Sequence, residues 1–190
     1  MSENGLTPQE KHDLLMLARD SIVHAVAGKR LPKLHEAQLT QALKENGAAF
    51  VTLTIGGDLR GCIGSLQAYR PLVEDVQQHA VDAALNDFRF LPMTEVEIPL
   101  VEIEISVLTQ PVPLRYEHPE ELPGLLNPGL DGVVLRDGPL SATFLPQVWD
   151  QLPVPEMFLS HLCQKMGAAP DRWRQKVMQV SIYHVEEFKE

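Results

Sequence analysis

Cysteine is scarce in this 190-residue chain. There are two, Cys62 and Cys163, and so wide a spacing offers no disulfide framework. No zinc-type spacing of Cys and His occurs either, because His161 and Cys163 sit two apart on an expected helix and diverge. No apolar run approaches the length of a membrane span, and Met1-Ser2-Glu3-Asn4 lacks the basic-then-apolar order of a secretory leader. The cytoplasm is the expected location. Gly-x-Gly-x-x-Gly, Walker and Gly-x-Ser-x-Gly motifs are missing, which withdraws support from standard nucleotide-dependent and hydrolase readings. No internal repeat is visible. Cations are outnumbered, 16 Lys and Arg against 26 Asp and Glu, for a formal charge of −10. That field repels phosphate backbones, so nucleic acid is not expected to bind through bulk charge. The one basic stretch with an aromatic, Arg172-Trp173-Arg174-Gln175-Lys176, reads as a solvated helical face with a packed tryptophan.

What is present belongs to a folded protein. Hydrophobic residues make up 44% and charged ones 22%, and the length suits one domain over 1–190, or one with a small lobe. Thr7-Pro8-Gln9-Glu10 is a capping box with proline at the first helical position. Leu14, Leu17, Ala18, Ile22, Ala25 and Val26 follow at helical spacing, and Gly28 ends the run. A short helix is expected from Glu36 to Glu45. Another opens after Tyr69-Arg70-Pro71, with Leu72, Val76, Ala80 and Ala83 as a narrow stripe. Val101, Ile103, Ile105 and Val107 alternate with Glu102, Glu104 and Ser106, a strand with one wet face. The two glutamates pass for paired carboxylates, yet alternation alone predicts polar residues there. Residues 111–128 hold five prolines and read as irregular chain with a helical turn near Glu120. A hairpin is expected around Asp137-Gly138, then a helix from Pro146. A further helix over Pro155 to Gly167 places Cys163 in its buried stripe, and a strand closes the chain from Val177 to Val185.

The stretch that organises the rest runs from Ala48 to Gly64. Two strand-forming runs flank Gly56-Gly57-Asp58, and the second carries Arg60, Gly61, Cys62 and Gly64 together. Glycine inside a strand marks a bulge or a close approach by backbone or ligand. A two-residue loop would set Leu53 opposite Arg60, on the apolar side. A three-residue loop sets Ile55 against Leu59, Thr54 against Arg60, Thr52 against Cys62 and Val51 against Ile63. A slip of one residue turns every side chain over, and the apolar pattern favours the second register. Arg60, Cys62 and the bare backbone of Gly64 then share one face. A guanidinium near a thiol favours the thiolate, the form that attacks electrophiles. The competing reading makes Cys62 a small buried hydrophobe. Thr143, Gln147 and Trp149 supply hydroxyl, amide and indole groups suited to orienting a ligand, while Trp149 equally suits a core anchor.

Leu59-Arg60-Gly61-Cys62-Ile63-Gly64 resembles the signature hexapeptide of the AMMECR family, whose prokaryotic members are called protein A of the AmmeMemoRadiSam system. The resemblance runs from Gly47 to Phe188. It takes in Phe50-Val51-Thr52-Leu53, the Ala83 to Phe90 stretch, Ser106-Val107-Leu108-Thr109, Asp131-Gly132-Val133 and Ala142 to Trp149. Where the family reads Asp-Pro-Arg-Phe, this chain has Asp87-Phe88-Arg89-Phe90. The resemblance implies an α+β fold, with an antiparallel or mixed sheet, flanking helices, and a larger and a smaller subdomain forming a cleft near the signature. It also implies a radical-SAM protein and a Memo-like protein as partners, and a role in nucleic-acid modification. It names no cofactor and no metal.

Two functions follow. In the first, the chain is an enzyme or enzyme subunit with Cys62 as nucleophile or redox thiol. Arg60 stabilises the thiolate or holds an anionic substrate, and Gly61, Gly64, Thr52, Asp87, Arg89, Thr143, Gln147 and Trp149 form the ligand site. In the second, the same surface is a non-catalytic binding or adaptor module. Asp87 and Arg89 also have a plain reading, as a local ion pair that anchors a turn.

Overall fold

The computed structural model describes residues 5–35, 37 and 39–190. Met1 to Asn4, read above for the lack of a leader, and Glu36, where the second helix was expected to start, lie outside them. The chain forms two compact units, one comprising Met1–Thr109 with Glu186–Glu190 and the other Gln110–Val185.

The first unit begins with α1, Pro8–Val26, capped as its sequence predicts. Thr7 accepts from the Glu10 amide, and the Glu10 carboxylate accepts from the Thr7 amide at 2.7 Å. Glu10 also accepts from the Thr40 hydroxyl at 2.5 Å, which is the main reason its carboxyl titrates below the usual range. Gly28, at φ +65°, supplies the left-handed residue past the helix end. Of the expected second helix, residues 41–44 form one turn, α2, Gln41–Lys44. β1, Asn46–Ile55, and β2, Asp58–Gly64, form the central hairpin, and Arg70–Pro71 makes a short β3 against the start of β1. α3, Leu72–Leu85, leads through an irregular segment to β4, Val101–Leu108. Strand order in the sheet is β2-β1-β4-β9, with β9, Val185–Lys189, returning from the chain's end.

α3 packs on β1 and β2, and α1 packs on α3. Val51, Leu53, Ile103 and Ile105 point into that layer together with Leu72, Val76, Ala80 and Ala83, all buried. The small residues of α3 let it approach closely. Behind its first turn lies a buried polar cluster. Asp75 accepts from the Ala49 amide and the Ser65 hydroxyl, with His79 Nδ1 and Arg70 Nε each 3.2 Å from its carboxylate.

The second unit has its own antiparallel sheet in the order β5-β8-β6-β7. Its strands are β5, Val112–Leu114, β6, Gly132–Asp137, β7, Leu140–Phe144, and β8, Gln179–Tyr183. β5 was read as irregular chain because of its prolines. As the edge strand of the sheet it tolerates Pro113. The β6–β7 turn falls one residue later than expected, on Gly138 and Pro139, since Asp137 pairs with Leu140. α4, Leu122–Leu125, α5, Pro155–Lys165, and α6, Arg172–Gln175, accompany this sheet. Leu159, Leu162, Cys163 and Met166 are buried in one stripe, as their spacing predicts. Asp137 holds both Arg172 and Lys176, so part of the basic stretch is already paired.

Candidate functional site

The hairpin reaches the expected pairing of Thr52 with Cys62 by a different route. Gly56 and Gly57 both have positive φ, +60° and +88°, and form a two-residue loop between paired Ile55 and Asp58. Thr54 pairs with Leu59, not with Arg60, and Leu53 pairs with Gly61. Arg60 is the extra residue of a β-bulge. The three-residue loop is therefore corrected to a two-residue loop plus a bulge.

Alternation along β2 then assigns each residue a face. Gly61 lies against α3, where an added Cβ would meet the Ala83 carbonyl oxygen at 2.1 Å. Gly64 is bare because its partner Phe50 fills the space, with a ring carbon 2.3 Å from where a Cβ would stand. Both glycines thus meet the chain's own atoms. Cys62 is on the sheet face turned away from α3, half-buried, with the Thr52 hydroxyl 3.3 Å from its sulfur. Close side chains are expected of a cross-strand pair that does not exchange backbone hydrogen bonds. Thr52 also pairs with Glu104 on its other side, so Cys62, Thr52 and Glu104 form one row across three strands. Two strand spacings put roughly 10 Å between the outer members of that row. Glu104, half-buried, was weighed with Glu102 as a paired carboxylate and read as a wet-face residue. Recognising it needed the strand order, which no spacing in the chain displays.

The backbone of Cys62 points outward from the sheet edge and is taken up by Asp87 and Arg89. The Cys62 amide donates to Asp87 Oδ2 at 2.9 Å, and the Cys62 carbonyl accepts from the Arg89 guanidinium at 3.1 Å. Arg89 in turn grips both Asp87 oxygens, at 2.9 and 2.6 Å, and its own amide donates to Oδ1. This closed clamp replaces a neighbouring strand on an otherwise unpaired edge. Hydrogen bonds from Arg89, then from the Cys62 and Arg89 amides, hold the Asp87 carboxyl far below the usual carboxylate range despite its burial. Asp87 first, with a contribution from Cys62, raises the affinity of Arg89 for its proton. The Asp87 side chain is 1% exposed and that of Arg89 42%.

Arg60 is committed elsewhere. Its Nε donates to Glu97 at 2.6 Å, a second nitrogen donates to the Leu91 carbonyl at 3.0 Å, and the guanidinium lies over the Phe90 ring at 5.8 Å. Glu97 further accepts from the amide and hydroxyl of Thr94. The Arg60 bond, followed by the Thr94 amide, pulls the Glu97 carboxyl down to about 2. Arg60 thereby pins the segment after α3 onto the hairpin. The cation that reaches Cys62 is Arg89.

Thr143, Gln147 and Trp149 are residues of the second unit. The Thr143 hydroxyl is 3.0 Å from the Tyr183 hydroxyl, and Gln147 is exposed. Trp149 is 2% exposed and stacks on Phe158 at 3.7 Å, and its indole N–H donates to the Asp131 carbonyl at 2.7 Å. Asp131, fully buried, accepts from Asn127 and lies 3.0 Å from His184 Nε2. Among the described residues no group of three or more His, Cys, Asp or Glu could hold a metal ion. No helix of the described residues is long and apolar enough to cross a membrane.

Comparisons with known proteins bear on the chain as a whole. The AMMECR1 family model matches residues 15–188. "Protein MK0488" of Methanopyrus kandleri is 38% identical over 193 residues, covering 97% of this chain and 90% of the relative. A protein of Methanothermobacter thermautotrophicus is 35% identical over 171 residues, covering 87% and 86%. The crystal structure of the uncharacterized protein PH0010 from Pyrococcus horikoshii superposes with a TM-score of 0.81 at 31% identity, over 97% of this chain and 93% of that one. A match of this extent, carried by sequence and fold together, makes the chain a member of the AMMECR1 family.

Proposed function

We propose that the chain is an enzyme or enzyme subunit whose reactive group is the Cys62 thiol, with Arg89 as the cation that serves it. The observation that carries this reading is the Asp87–Arg89 clamp, which holds a partly exposed guanidinium on the backbone of a half-buried cysteine. Thr52 steadies the sulfur, and Glu104 lies in the same row on the far side of Thr52. Arg60 keeps the clamp's loop in place. Cys62 acts as nucleophile or redox thiol, and Arg89 holds an anionic or polarised oxygen of the substrate. The partners of this reading are the radical-SAM and Memo-like proteins of the AmmeMemoRadiSam system that the family resemblance implies. A nucleic-acid substrate would be delivered by such a partner, because a charge of −10 repels phosphate on its own.

Alkylation with iodoacetamide tests it. A sulfur–carbon bond forms, iodide leaves and the thiol proton passes to solvent. The expected result is faster labelling of Cys62 than of free cysteine near neutral pH, with the advantage lost in Arg89→Gln. Labelling no faster than free cysteine removes the nucleophile role.

The second reading, a non-catalytic binding module, is favoured by a different observation: Phe88 and Leu91, beside the clamp, are strongly exposed. Cys62→Ser separates the two. A folded serine variant that loses function in a complementation assay supports the enzyme, and full function supports the module.

A further inference from the structure

The row that Cys62 opens ends in a carboxylate with nothing to hold. Glu104 lies on the same sheet face as Thr52 and Cys62, because Ile103 and Ile105 on either side of it are buried in the layer that α3 covers. Glu102, two residues back on that face, pairs with Thr54 and is exposed, whereas Glu104 is half-buried. Every other buried or half-buried carboxylate described in the first unit has a partner, among them Glu10, Asp75, Asp82, Asp87, Glu97 and Glu186. Among the described residues Glu104 has neither a hydrogen bond nor an ion pair. A charge drawn out of water costs free energy unless it is paired, so this carboxylate is suited to a cation from outside the chain.

The two ends of the row differ in sign. At the sheet edge the Arg89 guanidinium holds the Cys62 carbonyl, and two strands inward, roughly 10 Å away, stands Glu104. The overall charge of −10 works the same way as the carboxylate, since it draws cations towards the chain and repels anions. We propose that Glu104 is a specificity-determining residue of the Cys62 site, where it holds an ammonium or guanidinium group of the substrate while the reacting group lies at the sulfur. The substrate is then a cationic molecule or side chain whose charge stands roughly 10 Å from its electrophilic atom. The inference rests on Cys62 being the reactive group, and it adds which class of substrate that group meets.

Alkyl methanethiosulfonates with a short or a long chain, each ending in an ammonium or in an uncharged methyl, test it on the intact chain. A disulfide forms with Cys62, the sulfur–sulfur bond of the reagent breaks, methanesulfinate leaves and the thiol proton passes to solvent. Labelling of Cys62 is followed by mass spectrometry, and each rate is divided by that of free cysteine. The long ammonium reagent should outpace its uncharged counterpart about fivefold or more, and the short one should gain less. Glu104→Gln should lose this advantage, Glu104→Asp should keep part of it, and Glu102→Gln should keep nearly all of it. Rates with the uncharged reagents should be alike in all of them, which a disturbed fold would not allow. An advantage that survives in Glu104→Gln, or that falls equally in Glu102→Gln, overturns the inference and leaves the thiol reading standing. An uncharged reagent that labels Cys62 no faster than free cysteine removes the nucleophile role, and the inference with it.

Discussion

The two cysteines of this chain occupy opposite environments. Cys163 lies on α5 in the core of the second unit, fully buried beside Leu159 and Leu162, and burial pushes its thiol up. Cys62 lies on an edge strand, half-buried, with Thr52 at its sulfur and Asp87 and Arg89 on its backbone. The same side chain is packing material in one place and a presented group in the other. What separates them is the neighbourhood. One is surrounded by apolar groups, and the other by a hydroxyl and a guanidinium held by an ion pair.

The contrast can be broken most severely at Gly61. An alanine there collides with the Ala83 backbone, which cannot swing aside, so Gly61→Ala should cost about 3 kcal/mol and lower Tm by roughly 6–12 °C. Melting that matched wild type would mean β2 does not press on α3 as described. Next in size are the serine exchanges. Cys163→Ser places a hydroxyl in an apolar core and should cost about 2 kcal/mol, whereas Cys62→Ser should stay within about 0.5 kcal/mol. Equal losses in urea unfolding would erase the distinction between the sites. Arg60→Ala should act more locally. The Thr94 amide, held by Glu97, should exchange about tenfold faster while α1 amides are unchanged.

On the Cys62 side acid should act through two carboxyls, and more gradually. Asp87 and Glu97 both have carboxyls depressed in the folded protein, mainly by Arg89 and Arg60 respectively. Their contribution is complete above the ordinary carboxylate range and is lost as pH falls through it, for Glu97 from 4.5 towards about 2. Amide exchange at Thr94 should therefore rise over its intrinsic rate in that window, ahead of amides in α5. A rise already complete at pH 5 would contradict the assignment.

Much of this could be read from the chain before its coordinates. The capping box of α1, the stripe of α3, the alternation of β4 and the burial of Cys163 all follow from local spacing. So does the opposition of Thr52 and Cys62. The route to it does not, because a three-residue loop and a two-residue loop with a one-residue bulge shift the register equally. Counting residues cannot tell them apart. Arg60 was assigned to Cys62 because the three-residue-loop register sets both on one face, and its partner Glu97 lies 37 positions away. Asp87 and Arg89 were legible as an ion pair. Their grip on Cys62 depends on the path of the segment after α3, and Glu104 joins the row only because β4 lies beside β1.

Competitive labelling of the two thiols in the native protein is the most direct test of the central claim, that the Asp87–Arg89 clamp presents Cys62 for reaction. Mass spectrometry of briefly alkylated protein should find Cys62 modified at least about 100-fold faster than Cys163, whose access requires opening of the core. The ratio should fall in Arg89→Gln while the Cys163 rate stays fixed. Comparable rates at the two cysteines, or a ratio indifferent to Arg89, would contradict the account.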